Sequence, residues 1–295
     1  MTGAERGYLL LCCHLGNLER QPLTPAQFRK LARRIRIAEK APDDRELEIS
    51  DLTALGYSKT DAAHILKLLA EEALLERYLM KAAKFDCIPL TRLTPGYPRR
   101  ILKALGDDAP GCIWARGDLN LLNKPGVSLV GSRDLQPRNE QFARQVGAES
   151  ARQDLVLISG NARGADRTAQ DACLRTGGQV ISIVADALMD HTPVRNLLYL
   201  SEEGFDLPFS SQRALSRNRC IHAAGIAAIA AQCSLYTGGT WDGSVKNLRY
   251  GWSPMYVFDD DSESAAQLEQ MGAVKIDFDD LADLSQLPPP PKIAL

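Results

Sequence analysis

The chain has 295 residues, of which 45% are hydrophobic and 24% charged. This is an ordinary globular composition with room for about two domains. Lys and Arg total 35 against 37 Asp and Glu, a formal net charge of −2. That balance excludes a generally basic nucleic-acid coat, so any polyanion must be met by a local patch. Seven scattered cysteines with no C-x-x-C pair exclude a disulfide framework or a zinc site. The four histidines have no metal spacing, so neither metal nor cofactor is expected. Tyr8–Leu15 is too short to span a bilayer, and no leader-like core follows the N-terminus. The expectation is a cytoplasmic protein without a membrane partner.

Residues 1–84 read as a helical N-terminal domain. Pro25–Lys40 places Phe28, Leu31 and Ile35 on one face and Arg29, Arg33, Arg36 and Lys40 on another. The basic stripe is open to two readings, a solvated face or a phosphate contact. Ser58 and Asp61 resemble a capping box, and Ala62, Ile65, Leu66 and Leu69 supply a buried stripe. Two helices about Leu55-Gly56-Tyr57 resemble a helix-hairpin-helix or SAM-like module. The turn lacks the Gly-Ile-Gly of a DNA-gripping hairpin, so a structural or dimerising role is equally open.

Residues 85–282 form the expected core domain. Phe85–Lys124 is punctuated by Pro and Gly and is expected to be extended, with one short strand. From Gly126 apolar runs alternate with helical stretches. Val127–Val130, Leu155–Ile158 and Val180–Val184 are the expected strands, joined by helices at Arg138–Arg152 and Ala165–Arg175. Ile226–Gln232 and Met255–Phe258 extend the series, although Cys220–Ala231 also reads as an apolar helix. Ser262–Gly272 and Val274–Phe278 are the last helix and edge strand. This alternation predicts an α/β fold, a Rossmann-like and mostly parallel sheet with helices on both faces. A tail at 283–295, containing Pro288–Pro291, is expected to be extended.

On such sheets, ligands sit beyond the carboxyl ends of the strands. Gly131-Ser132-Arg133 closes one strand there, and Ser159-Gly160, with Arg163, Gly164 and Asp166, closes another. Glycines admit a phosphate to the main chain, and Arg133 adds a planar, permanently charged fork. Arg163 is either a partner on the same anion or a loop arginine. Asp166 is read as structural, capping the helix from Ala165 or hydrogen-bonding Arg133. Arg217 and Arg219 bracket Asn218. Either they hold phosphates while Asn218 contacts the Gly238 loop, or they pair with Glu202, Glu203 and Asp206. Gly238-Gly239-Thr240 offers further free amides, and Trp241 is either a stacking platform or core. Ser132 and Ser159 lack a motif-level base, and neither Gly-x-Ser-x-Gly nor a Walker A sequence is present. Hence no catalytic residue is assigned.

The chain resembles the DprA/Smf DNA-processing family, on several motifs in order. These are Tyr97-Pro98, Ile113-Trp-Ala-Arg-Gly-Asp-Leu, Val127–Arg133, Ser159–Asp166, Arg217-Asn218-Arg219 and Thr237–Thr240. The resemblance spans about Tyr97 to Ile276. It departs at Asn161, at Ala169-Gln170, where relatives commonly carry His, and at Trp241-Asp-Gly-Ser. About twenty residues follow the last expected strand, fewer than the winged helix of many relatives needs. The resemblance implies a non-enzymatic homodimer that binds and protects single-stranded DNA and helps load a RecA-type recombinase during DNA uptake or recombination. Two alternatives use the same fold: a nucleotide-binding sensor, and a LOG-like nucleoside-monophosphate hydrolase. The hydrolase signature requires a glutamate, and here only Asp242 is near.

Overall fold

The computed structural model describes residues 1–38 and 47–290. Lys40 of the basic stripe and residues 291–295 of the tail lie outside the described residues. Five helices come first: α1 (Gly3–Cys12), α2 (Pro25–Ile37), α3 (Ile49–Ala54), α4 (Lys59–Leu69) and α5 (Glu72–Lys84). Thr2 and Thr24 cap α1 and α2 in full capping boxes with Glu5 and Gln27. Ser58 caps α4 by accepting from the Asp61 amide, so half of the expected box forms. Helix α2 buries Phe28 and Leu31, but Ile35 is exposed, so the apolar face ends a turn early.

The basic stripe of α2 meets carboxylates. Arg29 pairs with Asp108, and Arg33 and Arg36 pair with Asp107 at 2.9 and 3.5 Å. These arginines hold α2 against the 106–108 turn. In the helical hairpin, the Arg34 guanidinium lies 4.4 Å from the Tyr57 ring centroid. Gly56, at φ 83°, takes the left-handed backbone that this turn requires. The turn is thus occupied by the protein's own arginine.

The core contains β1 (Ile88–Thr91), α6 (Arg99–Leu105), β2 (Cys112–Gly117), β3 (Gly126–Val130) and α7 (Pro137–Arg152). It continues with β4 (Val156–Ser159), α8 (Ala165–Arg175), β5 (Gln179–Val184), β6 (Leu197–Glu202) and α9 (Ser211–Ala224). Last come β7 (Ala228–Ala230), α10 (Gly238–Tyr250), β8 (Met255–Phe258), α11 (Glu263–Gln270) and β9 (Val274–Ile276). The nine strands form one sheet in the order β1-β2-β6-β5-β4-β3-β7-β8-β9. Only the β1–β2 and β2–β6 pairs are antiparallel. The run β5-β4-β3-β7-β8-β9 has the doubly wound order of a Rossmann-like sheet.

Three expectations are corrected. The passage at 85–124 carries two strands and α6 rather than one strand. Strand β6 was not expected, because it follows β5 with only a short 3-10 turn between, breaking the strand–helix alternation. Cys220–Ala231 is not one helix. Helix α9 begins at Ser211 and ends at Ala224, and Ala228–Ala230 is β7. Gly225 makes the break, since a Cβ there would stand 2.5 Å from Ser128 Oγ and from the Ala227 carbonyl. The chain can pass β3 this closely only without a side chain.

Apolar side chains fill both faces of the sheet. Ile158, Ile183 and Val257 meet α6, α9 and α10 on one side, and Leu129, Leu157 and Val180 meet α7 and α8 on the other. The helical layer joins the sheet through a third cluster in which Tyr78 of α5 packs on Trp114 and Phe205, centroids 5.3 and 4.5 Å away. The Tyr78 hydroxyl donates to Asp206 at 2.7 Å and accepts from the Phe205 amide at 3.1 Å. Tyr78→Phe leaves both partners without it. We expect a loss of about 1–2 kcal/mol in a urea melt, with an unchanged m-value.

Candidate functional site

Strands β3 and β7 are adjacent in the sheet, yet β4, β5 and β6 lie between them in sequence. This reversal of strand order leaves a crevice beyond their carboxyl ends. A cavity of about 370 Å³ occupies it. Gly131, Ser132 and Arg133 line one side, following β3, and Gly238, Gly239 and Thr240 line the other, opening α10. Arg217 and Asn218 of α9, and Asp166 of α8, complete the wall.

The turns touch closely. A Cβ on Gly131 would lie 2.4 Å from the Ala165 Cβ. Gly164 has φ 86°, and a Cβ there would lie 2.3 Å from the Ser132 carbonyl. That carbonyl accepts from the Ala165 amide at 3.1 Å, which ties the first turn to α8. Across the cavity, Asn218 Nδ2 donates to the Gly239 carbonyl at 3.1 Å and fixes α9 to α10. The N-cap of α10, Thr237, makes no side-chain cap, and its first turn holds no acid. The amides of Gly238–Thr240 therefore present a positive helix end to the cavity. Among the described residues Arg133 forms no ion pair. It is exposed at the rim, its guanidinium 6.0 Å from the Phe209 ring centroid.

Other expected site residues take different positions. Asp166 is buried and neither caps α8 nor hydrogen-bonds Arg133. It accepts from the Gly160 and Ala162 amides, both at 3.1 Å, and holds the turn after β4. Burial pushes its carboxyl above the usual range, against the pull of Arg217 and those amides. Arg217 is also buried and donates to the Gly160 carbonyl at 2.6 Å and to the Ile183 carbonyl. A Cβ on Gly160 would stand 2.1 Å from the guanidinium, so a side chain there would displace Arg217. Burial lowers the Arg217 pKa, with Asp166 acting against that shift. Ser159 is fully buried and accepts from Gln170 Nε2 at 2.6 Å, while Gln170 also reaches Ser182 Oγ at 3.2 Å. Gln170 thus bridges β4 and β5.

Arg163 pairs with Asp134 at 2.8 Å on the open surface. It lines a second cleft of about 280 Å³, together with Arg133, Gly160 and Arg217. Arg219 points away from both. It pairs with Glu202 at 2.7 Å and borders a cavity of about 670 Å³ between the helical layer and the sheet. Burial opposes its charge, but Glu202, Cys220 and Glu203 together outweigh it and the pKa is raised. Both Arg217 and Arg219 lie within α9. Trp241 belongs to the core, with Tyr236 edge-on to it at 5.3 Å, so its stacking reading is withdrawn.

The 670 Å³ cavity is the larger, but its cations are committed. Arg20 is held by Glu71 and by the Cys13 and Leu10 carbonyls, and Arg213 donates to the Ala185, Leu207 and Pro208 carbonyls. The switch-point cavity has the uncommitted donors. Its serines offer no nucleophile–base pair: Ser132 donates to the Asp134 carbonyl, and Ser159 is sealed inside. No group of metal-ligating side chains occurs among the described residues. Sequence reasoning missed Phe209 and Asp186, both lining the second cleft. The only local signal for Phe209 was an apolar Leu-Pro-Phe run in an otherwise polar loop.

The family model for DNA recombination-mediator protein A matches residues 89–283. The chain belongs to this family. It is 27% identical over 154 residues to the DNA processing protein DprA of Streptococcus pneumoniae, covering 52% of each chain. It is 23% identical over 198 residues to the protein Smf of Synechocystis, covering 64% of this chain and 46% of that one. The matched stretch thus spans about half the length of these relatives. The X-ray structure of S. pneumoniae DprA superposes with a TM-score of 0.68 at 23% identity, covering 94% of this chain and 95% of the other. The structure of Helicobacter pylori DprA, described for its single-stranded DNA binding mode, gives 0.55 at 24% identity, covering 65% and 91%. These likenesses show a shared Rossmann-like fold. In this DprA-family chain the family match contains both strands of the switch point and every wall of the cavity, and it begins after α5.

Proposed function

We propose that this chain binds single-stranded DNA in the switch-point cavity, protects it, and helps load a RecA-type recombinase onto it during DNA uptake or recombination. It would act in the cytoplasm, as a homodimer and without catalysis. One observation carries the reading: Arg133, without an ion pair among the described residues, lines the same cavity as the uncapped amides of Gly238–Thr240, in a chain whose net charge is −2. A fixed positive site in an acidic protein suits a backbone phosphate. The S. pneumoniae relative, a DNA processing protein, and the H. pylori structure, described for its single-stranded DNA binding mode, support the same reading. Arg163, loosely held by exposed Asp134, can exchange its carboxylate for a second phosphate.

The hydrolase alternative has little to stand on. Asp242 is paired with Lys246 at 2.8 Å, and the carboxylate in the cavity wall, Asp166, is committed to backbone amides.

Titration of a thymidine oligonucleotide, the matching duplex and a panel of mononucleotides against salt tests the proposal. The single strand is expected to bind best, with log K falling linearly in log salt. Arg133→Ala is expected to weaken binding about tenfold and to reduce the salt slope by about 0.7, one phosphate's worth. Unchanged affinity and slope in that variant would remove the cavity from DNA binding. A preference for a mononucleotide would favour the sensor.

A further inference from the structure

All seven cysteines are free thiols. Cys87, Cys173 and Cys220 donate to oxygens: the Phe85 carbonyl, the Gln179 carbonyl and the Glu202 carboxylate. Cys13 and Cys112 instead face each other, Sγ to Sγ at 3.0 Å, across 99 positions of sequence. Cys13 ends α1 as its C-cap, and Cys112 opens β2, so the pair stands on the joint between the helical layer and the sheet. Both belong to the buried cluster that contains Leu9, Leu10, Trp114 and Phe205. The two sulfurs are not equally sealed. Cys13 is wholly buried, whereas Cys112 lines the 670 Å³ cavity. The adjacent Cys12 turns elsewhere, its Sγ lying against Gly111, where a Cβ would stand 2.4 Å from it.

As hydrogen-bond partners two thiols gain little from each other, since sulfur is a weak donor and a weak acceptor. As bonding partners they are well placed, because about 1 Å of closure brings the sulfurs to disulfide distance. We propose that Cys13 and Cys112 form a reversible redox clamp, in which a peroxide entering the cavity oxidises them to a disulfide that fastens the helical layer to the sheet. Cys112, at the cavity wall, attacks one peroxide oxygen as its thiolate. The O–O bond breaks, Cys112 becomes a sulfenic acid, and the second oxygen leaves as hydroxide and takes up the thiol proton to form water. Cys13 then attacks the sulfenyl sulfur, and its proton joins the departing hydroxide as a second water. Two thiols and one hydrogen peroxide thus give one disulfide and two waters, and a thiol reductant reverses the change. The Cys13 hydrogen bond and burial hold the Cys112 thiol well above its ordinary range, so oxidation is slow at neutral pH and quickens as pH rises. Closing so long a loop withdraws freedom from the unfolded chain, which makes the oxidised form the more stable. Neither sulfur lines the switch-point cavity, so the clamp acts on the joint between layers and is independent of the DNA-binding reading. The family match includes Cys112 and begins after Cys13, so the bond ties the matched core to the segment before it.

In the test, hydrogen peroxide is added to the reduced chain at mildly alkaline pH, remaining thiols are alkylated in denaturant, and tryptic peptides are read by mass spectrometry. The peptides carrying Cys13 and Cys112 are expected to appear joined, two hydrogens lighter than their sum, and to separate in dithiothreitol. The oxidised chain is expected to melt about 5–15 °C above the reduced one. Cys13→Ala and Cys112→Ala are each expected to abolish the joined peptide and the shift, and Cys12→Ala to keep both. A second arm refolds the urea-unfolded chain in a glutathione redox buffer, where burial does not restrict access. Absence of the joined peptide from both arms overturns the clamp, as does Cys112 carried to a sulfinic acid with Cys13 still alkylated. A joined peptide in the refolding arm alone overturns the peroxide route through the cavity. A joined pair that melts with the reduced chain overturns the fastening of the two layers.

Discussion

An Arg217→Ala chain is expected to lose about 3–5 kcal/mol of folding stability, read as a lower urea midpoint, before any ligand is added. The guanidinium is buried and donates to the carbonyls that follow β4 and end β5. Its removal takes a donor from those carbonyls and the nearer cation from buried Asp166, and each loss is costly in a low-dielectric interior. Arg217→Lys should recover only part of the loss, because an ammonium cannot reproduce the planar fork. Arg133→Ala, at an exposed rim position with no ion pair among the described residues, should change stability by less than about 0.5 kcal/mol. The two arginines, alike in the sequence, are thereby separated. A fully stable Arg217→Ala chain would mean that this side chain is not the brace the structure makes it.

The second large effect concerns acid. His222 is wholly buried between α9 and α10, and neither ring nitrogen has a hydrogen-bond partner. Gly243 on α10 makes room for it, since a Cβ there would lie 2.9 Å from Nε2. Burial lowers its pKa from 6.5 to about 4. An unfolded chain takes up this proton near pH 6.5, and the folded chain does so only near pH 4. Between those values the unfolded state binds more protons, so stability falls as pH falls through that window. The full contribution is on the order of 3 kcal/mol. It is absent above the window and complete below it. Urea melts at successive pH values should show this slope in the wild type and lack it in His222→Ala. An identical slope in both chains would assign the acid sensitivity to other groups. Because α9 carries Arg217 and Asn218 and α10 opens on Gly238, loosening at His222 should reach the cavity as well.

Several elements were legible because their residues interact within a few positions of one another. Helix α8 falls on the expected Ala165–Arg175, and β8 on Met255–Phe258. Both are bounded by local punctuation, α8 by Gly164 and Gly177 and β8 by Pro254 and Asp259. Strand β6 was not legible, because its place beside β5 depends on a crossover without a helix. Helix α9 was misplaced because its apolar end runs into β7 without a polar gap. Only the close passage of Gly225 over Ser128 separates them.

The sequence by itself determined the class of the molecule and the parts of its anion edge. Gly131-Ser132-Arg133, the Ser159–Asp166 turn and the Gly238–Thr240 helix start follow from local chemistry: glycine where the backbone must come close, small residues at strand ends, and free amides at a helix start. The tertiary structure alone decided which charges remain available. Arg133, Arg163, Arg217 and Arg219 look equivalent in a linear chain. Folding buries Arg217 against two carbonyls, turns Arg219 to Glu202, leaves Arg163 loosely paired with Asp134, and keeps Arg133 at the rim without an ion pair among the described residues. The cost of burying a charge, and hence the need to pair it, depends on neighbours distant in sequence. The same holds for Phe209 and Asp186, which no local motif joins and which line one cleft only because β5 and the loop before α9 end on the same edge of the sheet.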